Sequence, residues 1–365
     1  MCVLSLVLPT YNEAKNIPEL LPKLEEILTG IEHEIIIVDD DSPDGTWHIA
    51  LELAQGREDL HVIRRLGRRG LSSAVIEGFL AAKGDVFAVM DADGQHDFEL
   101  LPALYHAVRS GSGIAVGSRY VEGGSVGEWD ERRQVLSRIA TRLALFLCAV
   151  KVKDPMSGFF AIERSLFERV VTKLNPKGFK ILLDLLVCVP RETQVTEHPF
   201  TFRKRLHGQS KLSLRVQVDF LEYLYDVTVG KYIPLTFVKY SLVGTLGVFV
   251  HLCAYYAITR FVLQSSHPSV GGFSIAVIGA TETAIVFNFF LNNIWTFAGQ
   301  RLQGKQAAVG FLKFNIACLF GALVNWGVST SLFALKWQEF LAVFLGAMAG
   351  VMWNYTVNRI FTWKE

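Results

Sequence analysis

Hydrophobic positions divide the chain into two parts of different character. Up to about residue 212, short apolar runs alternate with segments in which apolar residues recur every three or four positions. This alternation predicts βαβ units and a mainly parallel, Rossmann-like α/β sheet. The strands are predicted at residues 3–8, 34–38, 61–64, 86–90 and 114–118, and residues 154–160 predict a turn into another strand.

Four longer apolar segments follow residue 230, at 237–263, 273–297, 311–335 and 340–361. Each is long enough to cross a hydrocarbon core of about 30 Å, so we expect four transmembrane helices. The first and third begin with Phe-Val-Lys-Tyr and Phe-Leu-Lys-Phe, and the second and fourth end with Asn-x-x-x-Asn-x-x-x-Thr. These matches indicate two repeated hairpins. Because each hairpin returns to the same side, the repeat is parallel.

Positive charge is unevenly placed around these segments. The side shared with the N-terminal part carries Lys231, Lys239, Arg301, Lys305, Lys313, Arg359 and Lys364. The positive-inside rule therefore predicts an integral membrane protein whose N-terminal domain is on the cytoplasmic face. Glu282 lies within the second segment, and we expect a structural, hydrogen-bonded acid that faces the bundle interior.

Two further segments interleave apolar and charged residues at helical spacing. Residues 137–150 predict an amphipathic helix that either lies on the membrane surface or belongs to an ordinary core. Residues 213–230 predict a second interfacial helix or linker. The resulting division is a catalytic domain at 1–212, the linker, and a transmembrane domain at 231–365.

Composition removes several other classes of function. The formal net charge is +1, which gives no overall field to attract nucleic acid. Five cysteines are scattered without a paired spacing, so neither a disulfide framework nor a zinc site is expected. The first apolar run lacks a basic leader and stops at Pro9, which favours a first strand over a signal peptide.

Candidate chemistry begins at Asp91 and Asp93, which follow the fourth predicted strand. Strand alternation would project both carboxylates to the same side. Mg²⁺ or Mn²⁺ suits such hard oxygen ligands and is commonly held by one or two carboxylates together with substrate phosphates. An isolated Asp-x-Asp is also compatible with a simple polar turn, so the rest of the chain decides between the two interpretations.

Polar residues also follow the first two predicted strands, at 9–13 and 39–41. Ligands of parallel sheets bind beyond the carboxyl ends of the strands, where these segments and residues 91–95 converge. An aspartate there can accept hydrogen bonds from a base or ribose, and Tyr11 can pack against a base. Neither a dinucleotide-binding glycine motif nor a P-loop follows a strand. A metal-bound nucleoside diphosphate fits this pattern best.

Four motifs carry a family resemblance. They are Leu-Pro-Thr-Tyr-Asn-Glu at 8–13, Val-Asp-Asp-Asp-Ser-Pro-Asp-Gly-Thr at 38–46, Met-Asp-Ala-Asp-Gly-Gln-His at 90–96 and Val-Gly-Ser-Arg-Tyr at 116–120. Together they resemble family 2 glycosyltransferases of the GT-A fold and, more closely, dolichol-phosphate mannose synthases. The resemblance spans nearly all of residues 3–212. The C-terminal part is similar to the four-helix membrane domain of GtrA-type proteins.

The resemblance implies a site for GDP-mannose, a divalent metal and dolichyl or another polyprenyl phosphate. The residues implied to hold the nucleoside are Pro9, Tyr11, Glu13, Val38, Asp39 and Asp40. Those implied to surround Mg²⁺ or Mn²⁺ and the diphosphate are Asp91, Asp93 and Gln95, with Ala92 beside the ribose. One departure is that Asp39-Asp40-Asp41 replaces the commoner Asp-Asp-Gly-Ser, which leaves open which Asp reads the base.

Basic residues complete the implied site. Arg205 and Lys211 match the family's basic pair near the phosphates. Arg119, Arg133 and Ser137 fall where the phosphate of the acceptor is expected, and with Asp93 they are the implied catalytic set.

The expected chemistry depends on whether the acceptor must be deprotonated by a general base before it attacks. Many family 2 enzymes place a carboxylate pair near residues 178–180 as a general base, and that pair is missing here. A lipid monophosphate, whose second pKa is about 6, is largely a dianion at neutral pH and can attack without a base. Cations must then hold two anionic phosphates together. Direct displacement would invert the anomeric centre and give a β-linked mannosyl phosphate.

Three alternatives remain at this point. A polyprenyl-phosphate glycosyltransferase that uses a UDP-sugar shares these motifs. A processive polysaccharide synthase is disfavoured because Gln-Val-Leu-Ser-Arg at 134–138 is not the Gln-x-x-Arg-Trp of such enzymes. A transporter with a degenerate N-terminal domain is disfavoured by the intact acid pair.

Overall fold

The computed structural model describes residues 3–127, 131–176, 180–203, 214–263, 269–270 and 273–364. The side chains of residues 131–136, 214–217, 219, 269–270 and 273 lie outside this description. The chain forms two compact units, Met1–Leu224 and Tyr225–Glu365.

The first unit is built on a seven-stranded sheet. Its strands are β1 (Leu4–Thr10), β2 (His33–Asp39), β3 (Leu60–Arg64), β4 (Val86–Val89), β5 (Ile114–Ser118), β6 (Phe160–Glu163) and β7 (Val195–Pro199). The strand order is β3-β2-β1-β4-β6-β5-β7. Strand β6 runs antiparallel to both neighbours, and the other pairs are parallel. The predicted mainly parallel α/β sheet is confirmed.

Helices connect these strands, and a last helix follows β7 and includes the boundary between the two units. They are α1 (Ile17–Ile27), α2 (Thr46–Leu53), α3 (Leu71–Ala81), α4 (Leu101–Arg109), α5 (Glu131–Leu145), α6 (Arg164–Val170), α7 (Ile181–Cys188) and α8 (Leu214–Thr228). Two apolar cores form, one around Phe79, Phe87 and Phe160 and the other around Leu6 and Leu24. Both pack sheet side chains against helices, because strands of such a sheet are buried on both faces. Helix α5 begins before and ends before the predicted 137–150.

Strand β4 ends at Val89, before the acid pair. The chain then turns through Asp91, Ala92 and Asp93, and Gly94 takes a left-handed φ of 74° that glycine adopts without strain. Strand alternation therefore does not set the direction of the two carboxylates, which corrects the sequence-based expectation. The turn leaves Asp91 partly exposed and buries Asp93.

The second unit contains four long apolar helices. They are α9 (Leu235–Ala257), α10 (Ile275–Leu291), α11 (Gly304–Ala334) and α12 (Glu339–Val357), with a short hairpin of β8 (Ser269–Val270) and β9 (Phe273–Ser274) after α9. The first, second and fourth continue into π-helical turns at Ile258–Val262, Asn292–Thr296 and Asn358–Thr362. All four are long and apolar enough to span a membrane, which confirms the predicted all-α integral membrane domain. Helix α11 starts at Gly304 rather than 311, because its first turns are polar but still helical.

The repeated Asn residues have a structural use in both hairpins. The side chain of Asn288 packs on Gly247, and that of Asn354 packs on Gly321. In each π turn a threonine Oγ1 donates to an asparagine Oδ1 one turn earlier, at 2.7 Å. Small residues allow helices to approach closely, and side-chain amides bond across them, as membrane helices commonly do.

Substituting Gly321 by Ala should destabilise the second hairpin. An added Cβ would lie 2.0 Å from Asn354 Oδ1, whereas at Gly327 on the same helix it would meet nothing within 4 Å. Overpacking costs about 1–3 kcal/mol, which outweighs the gain of about 0.5–1 kcal/mol from replacing a helical glycine. Thermal unfolding in detergent should show a lower midpoint for Gly321→Ala and an unchanged or higher one for Gly327→Ala. Equal midpoints would contradict this packing.

Glu282 is hydrogen-bonded but not interior. Asn315 Nδ2 donates to its Oε2 at 3.1 Å, and the Glu282 side chain is exposed on the surface of this unit. The buried face of α10 carries Ala276, Ala280 and Ala284. Glu282 is two residues from that stripe, about 200° around the helix, so the expectation of an interior-facing acid is wrong.

Candidate active site

Sheet order brings the three polar segments together. Strands β2, β1 and β4 are neighbours, so the residues after them meet at one edge of the sheet. The backbone N–H of Asn12 donates to Ser42 Oγ at 3.0 Å, and that of Glu13 donates to Thr46 Oγ1 at 2.9 Å. The first two loops are thereby joined into one wall of a site, as the sequence predicted.

Asp39 is committed to holding its own loop. Its Oδ1 accepts from the Ser42 backbone N–H at 2.8 Å. Its Oδ2 accepts from Ser42 Oγ at 2.6 Å and from Thr10 Oγ1 at 2.9 Å. The side chain is fully buried. These contacts give Asp39 a role in shaping the loop on which any nucleoside would rest.

Asp40 forms a buried ion pair that the sequence did not reveal. Arg65 Nη1 donates to Asp40 Oδ1 at 2.6 Å, and the Gly70 backbone N–H donates to Oδ2 at 2.7 Å. Arg65 is only 2% exposed and also donates to Ser73 Oγ. Burial raises the pKa of Asp40 above its ordinary value, against the opposing effect of Gly70 and Arg65.

Asp41 explains the departure from the commoner Asp-Asp-Gly-Ser. Its φ is +54°, a left-handed conformation that glycine adopts freely and Asp tolerates better than most residues. Its carboxylate pairs with Arg64, whose guanidinium lies 3.6 Å above the Trp47 ring. Asp41 therefore takes part in an ion pair at the protein surface.

The other residues assigned to the nucleoside differ in whether the side chain or only the backbone is available to a ligand. The guanidinium of Arg69 lies 4.6 Å from the centre of the Tyr11 ring. Glu13 accepts a hydrogen bond from Asn16 Nδ2 at 2.6 Å. Val38, Pro9 and Ala92 are buried, so the backbone is what they can offer to a ligand.

Asp91 opens onto a cavity of about 130 Å³. Its wall also contains His96, Arg119, Gly158 and Lys180, together with apolar side chains. The neighbouring turn is held by the Gln95 backbone N–H, which donates to Asp93 Oδ1 at 3.0 Å. This cavity thus combines a carboxylate with two cations at the end of the sheet.

Arg119 is fixed by a buried two-pronged ion pair. Its Nε and Nη2 donate to the two carboxylate oxygens of Asp154, each at 2.8 Å. Asp154 is fully buried and also accepts from the Arg119 backbone N–H. Although burial disfavours its charge, pairing with Asp154 raises the pKa of Arg119 above its ordinary value. The next residue, Tyr120, places its hydroxyl 2.9 Å from Ser137 Oγ.

His96 is a buried neutral ring beside the acid pair. Its Nδ1 accepts from the Asp91 backbone N–H at 3.1 Å, so the neutral ring carries its proton on Nε2. The ring stacks on Phe159 with centres 5.2 Å apart and is edged by Phe200 and Phe202. Burial lowers the pKa of His96 to about 4.

The unusual pKa of His96 predicts a pH-dependent stability. The folded pKa of about 4 lies below the ordinary 6.5, so the unfolded chain binds a proton between these values that the folded chain does not. Stability is therefore retained above pH 6.5 and falls as pH is lowered toward 4. At about 1.4 kcal/mol per pKa unit, the loss is about 3 kcal/mol.

Unfolding midpoints measured from pH 7 to pH 4.5 should show this dependence. The slope of the midpoint against pH should be shallower in His96→Phe than in the unsubstituted chain, because phenylalanine packs among the same rings but cannot titrate. Parallel slopes for the two proteins would contradict the buried neutral assignment of His96.

Arg205 and Lys211 lie outside the described residues, as does the side chain of Arg133. Conversely, sequence reasoning missed Arg65, Asp154 and the roles of His96 and Lys180. The only signal at Asp154 was the turn predicted at residues 154–160, which gave no sign of an ion pair with Arg119.

The donor set suits a divalent cation. Within the part of the chain that the structure describes, no three His, Cys, Asp or Glu side chains are grouped to hold a metal by themselves. Asp91, Asp93 and Gln95 offer two carboxylates and an amide oxygen on one turn. Such hard oxygen donors fit Mg²⁺ or Mn²⁺ whose coordination substrate phosphates complete.

The fold and site can now be compared with known proteins. The family described as "Glycosyl transferase family 2" matches residues 5–171, and "GtrA/DPMS, transmembrane domain" matches residues 239–363. Among solved structures, glucosyl-3-phosphoglycerate synthase of Mycobacterium tuberculosis is similar, with TM-score 0.46 and 22% identity over 64% of this chain and 80% of that one. The two family matches thus divide the chain into a family 2 glycosyltransferase domain and a GtrA/DPMS transmembrane domain.

Curated relatives narrow this class. The dolichol-phosphate mannosyltransferase of Pyrococcus furiosus is 40% identical over 361 residues, which is 98% of this chain and 99% of the relative. The polyprenol monophosphomannose synthase of Mycolicibacterium smegmatis is 38% identical over 57% of this chain and 80% of its own length. The Saccharomyces cerevisiae dolichol-phosphate mannosyltransferase is 37% identical over 62% and 88%. The chain belongs to the dolichol-phosphate mannosyltransferase family.

Proposed function

We propose that this chain transfers mannose from GDP-mannose to dolichyl or another polyprenyl phosphate and releases GDP. The observation that carries the proposal is one cavity, of about 130 Å³, lined by both Asp91 and Arg119. A carboxylate suited to a metal–diphosphate and a cation suited to a phosphate acceptor then face the same small space. Similarity to mannosyltransferases along 98% of the chain supports mannose as the sugar.

The nucleoside is assigned to the joined loops after β1 and β2. Tyr11, already in contact with Arg69, supplies a flat ring for a base. Asp39 and Asp40 both shape this wall: the oxygens of Asp39 accept from its own loop and from Thr10, and those of Asp40 accept from Arg65 and the Gly70 backbone N–H. Glu13, Pro9 and the Val38 backbone complete this wall.

The diphosphate and metal are assigned to Asp91, Asp93 and Gln95, with Ala92 beside the ribose. When bound, Mg²⁺ or Mn²⁺ supplies Lewis-acid stabilisation of the departing diphosphate. Asp91 faces the cavity, while Asp93 accepts the Gln95 N–H and keeps the turn in shape.

The acceptor phosphate is assigned to the side of the cavity that Arg119 lines, together with Arg133 and Ser137 from α5. Arg205 and Lys211 are assigned to a position near the phosphates. As a dianion above a second pKa of about 6, the acceptor needs positioning more than deprotonation. One of its oxygens attacks the anomeric carbon as the bond to GDP breaks, which inverts the centre and gives β-linked mannosyl phosphate. Arg119 holds the attacking phosphate in line, because Asp154 fixes its guanidinium.

The membrane orientation of the catalytic unit is inferred from the distribution of Lys and Arg. The excess of Lys and Arg on one side of the four apolar helices supports a catalytic unit on the cytoplasmic face, where sugar nucleotides are supplied. Helices α5 and α8 are proposed to lie at the membrane interface.

A donor panel tests the proposal. The purified full-length chain is given dolichyl phosphate with radiolabelled GDP-mannose, GDP-glucose, UDP-glucose or UDP-N-acetylglucosamine, with and without Mn²⁺. Metal-dependent product from GDP-mannose alone is the expected result. Product from a UDP-sugar alone would identify a polyprenyl-phosphate glycosyltransferase with another donor and overturn the mannose assignment.

A further inference from the structure

Lys180 is a cavity residue that the functional assignments above leave unused. It directly precedes helix α7, and its side chain lines the same cavity as Asp91 and Arg119. Its Nζ donates to the backbone carbonyl of Met156 at 3.1 Å. The ammonium is therefore anchored at the cavity wall.

One short turn holds both cations of the cavity. Asp154 at its start pairs with Arg119, and the Met156 carbonyl accepts from Lys180. Ser157 Oγ donates to the Gly117 carbonyl at 2.7 Å, which fastens the turn to strand β5. Arg119 and Lys180 are thus both held by the turn at residues 154–157.

Helix α7 fixes the other side of Lys180. The Asp184 backbone N–H donates to the Lys180 carbonyl at 3.2 Å. The Asp184 carboxylate, which is buried, accepts from the Asn175 backbone N–H at 2.5 Å and from Tyr223 Oη at 3.0 Å. These contacts tie the start of α7 to the segment before it and to α8. A side chain on such a base is pre-organised, which a binding cation requires.

We infer that Lys180 is a further acceptor-binding residue, whose ammonium contacts the phosphate of the polyprenyl phosphate beside Arg119. The inference rests on the proposed function. A phosphate that attacks a sugar bearing a diphosphate must be held against charge repulsion, and two cations held by the same turn meet that need. Charge-assisted bonds of this kind are the strong ones.

Steady-state kinetics of the full-length chain test this assignment. Lys180→Met removes the charge and keeps much of the length, and Lys180→Arg keeps the charge. Lys173→Met, the control, removes an exposed lysine that lies outside the cavity wall. We expect Lys180→Met to lower kcat/KM for dolichyl phosphate about 10- to 100-fold. The KM for GDP-mannose and the affinity for GDP should change less than about twofold, and Lys180→Arg should recover most of the loss. Lys173→Met should match the unsubstituted chain.

Other outcomes would overturn the inference in distinguishable ways. A raised KM for GDP-mannose with unchanged acceptor kinetics would move Lys180 to the donor diphosphate. Losses on both substrates with a lower unfolding midpoint and no rescue by Arg would make it a purely structural anchor of the turn. An inactive unsubstituted chain would instead refute the proposed function.

Discussion

Replacing Asp91 by Asn should lower kcat for mannosyl transfer by at least about a thousandfold, a loss typical of removing a principal charge-stabilising group. The substitution is nearly isosteric, and the side chain is 37% exposed, so the fold should be retained. What is lost is the negative charge that faces the cavity. The measurement is transfer from GDP-mannose to dolichyl phosphate across a Mn²⁺ titration.

A matched control and a second readout sharpen this result. Asp59→Asn removes a surface carboxylate paired with Arg57 and should keep activity within about twofold, because exposed ion pairs contribute little. Mn²⁺-dependent binding of GDP should weaken in Asp91→Asn without any turnover being involved. Full activity of Asp91→Asn would revive the interpretation of the N-terminal domain as non-catalytic.

Replacing Asp154 by Ala should destabilise the catalytic unit by about 3–5 kcal/mol, the usual cost of leaving a buried charge unpaired. Arg119 would keep its charge in a buried site after losing both carboxylate contacts. Activity should also fall, because the guanidinium is no longer aimed at the cavity. Unfolding in detergent and transfer rates measure the two effects separately.

A double-mutant cycle isolates the pair. Arg119→Met combined with Asp154→Ala removes both charges, so the double variant should be more stable than Asp154→Ala alone although it stays inactive. If the two single losses of stability simply add in the double variant, the ion pair is not coupled and this explanation of Arg119 is wrong.

Much of the fold followed from local pattern. Apolar runs of strand length closed by polar residues located β1 to β5, because a buried parallel strand must be apolar throughout and must end where the chain meets water. The antiparallel insertion of strand β6 between β4 and β5 did not follow. Its place depends on pairing with residues far along the chain, which periodicity does not report.

The candidate site, like the fold, could be predicted only in part from the sequence. Asp91, Asp93 and Arg119 could be singled out because each closely follows a strand, and the carboxyl ends of parallel strands in one sheet meet at the same edge. The residues that hold these side chains in place could not be identified from the sequence. Arg119 and Asp154 are 35 residues apart, and Lys180 directly precedes a helix whose start the pattern did not mark. Glu282 was misplaced for a similar reason, since a nearly uniform apolar helix gives little sign of which face is buried.

The most direct test of the central claim compares two acceptors. The purified full-length chain is incubated with radiolabelled GDP-mannose, Mn²⁺ and either dolichyl phosphate or dolichol, and the anomeric configuration of any lipid-linked mannose is determined. A β-mannosyl phosphate formed from dolichyl phosphate, with no product from dolichol, is the predicted result. Mannose on dolichol, an α-linked product, or no lipid-linked mannose would contradict inverting transfer to a lipid phosphate.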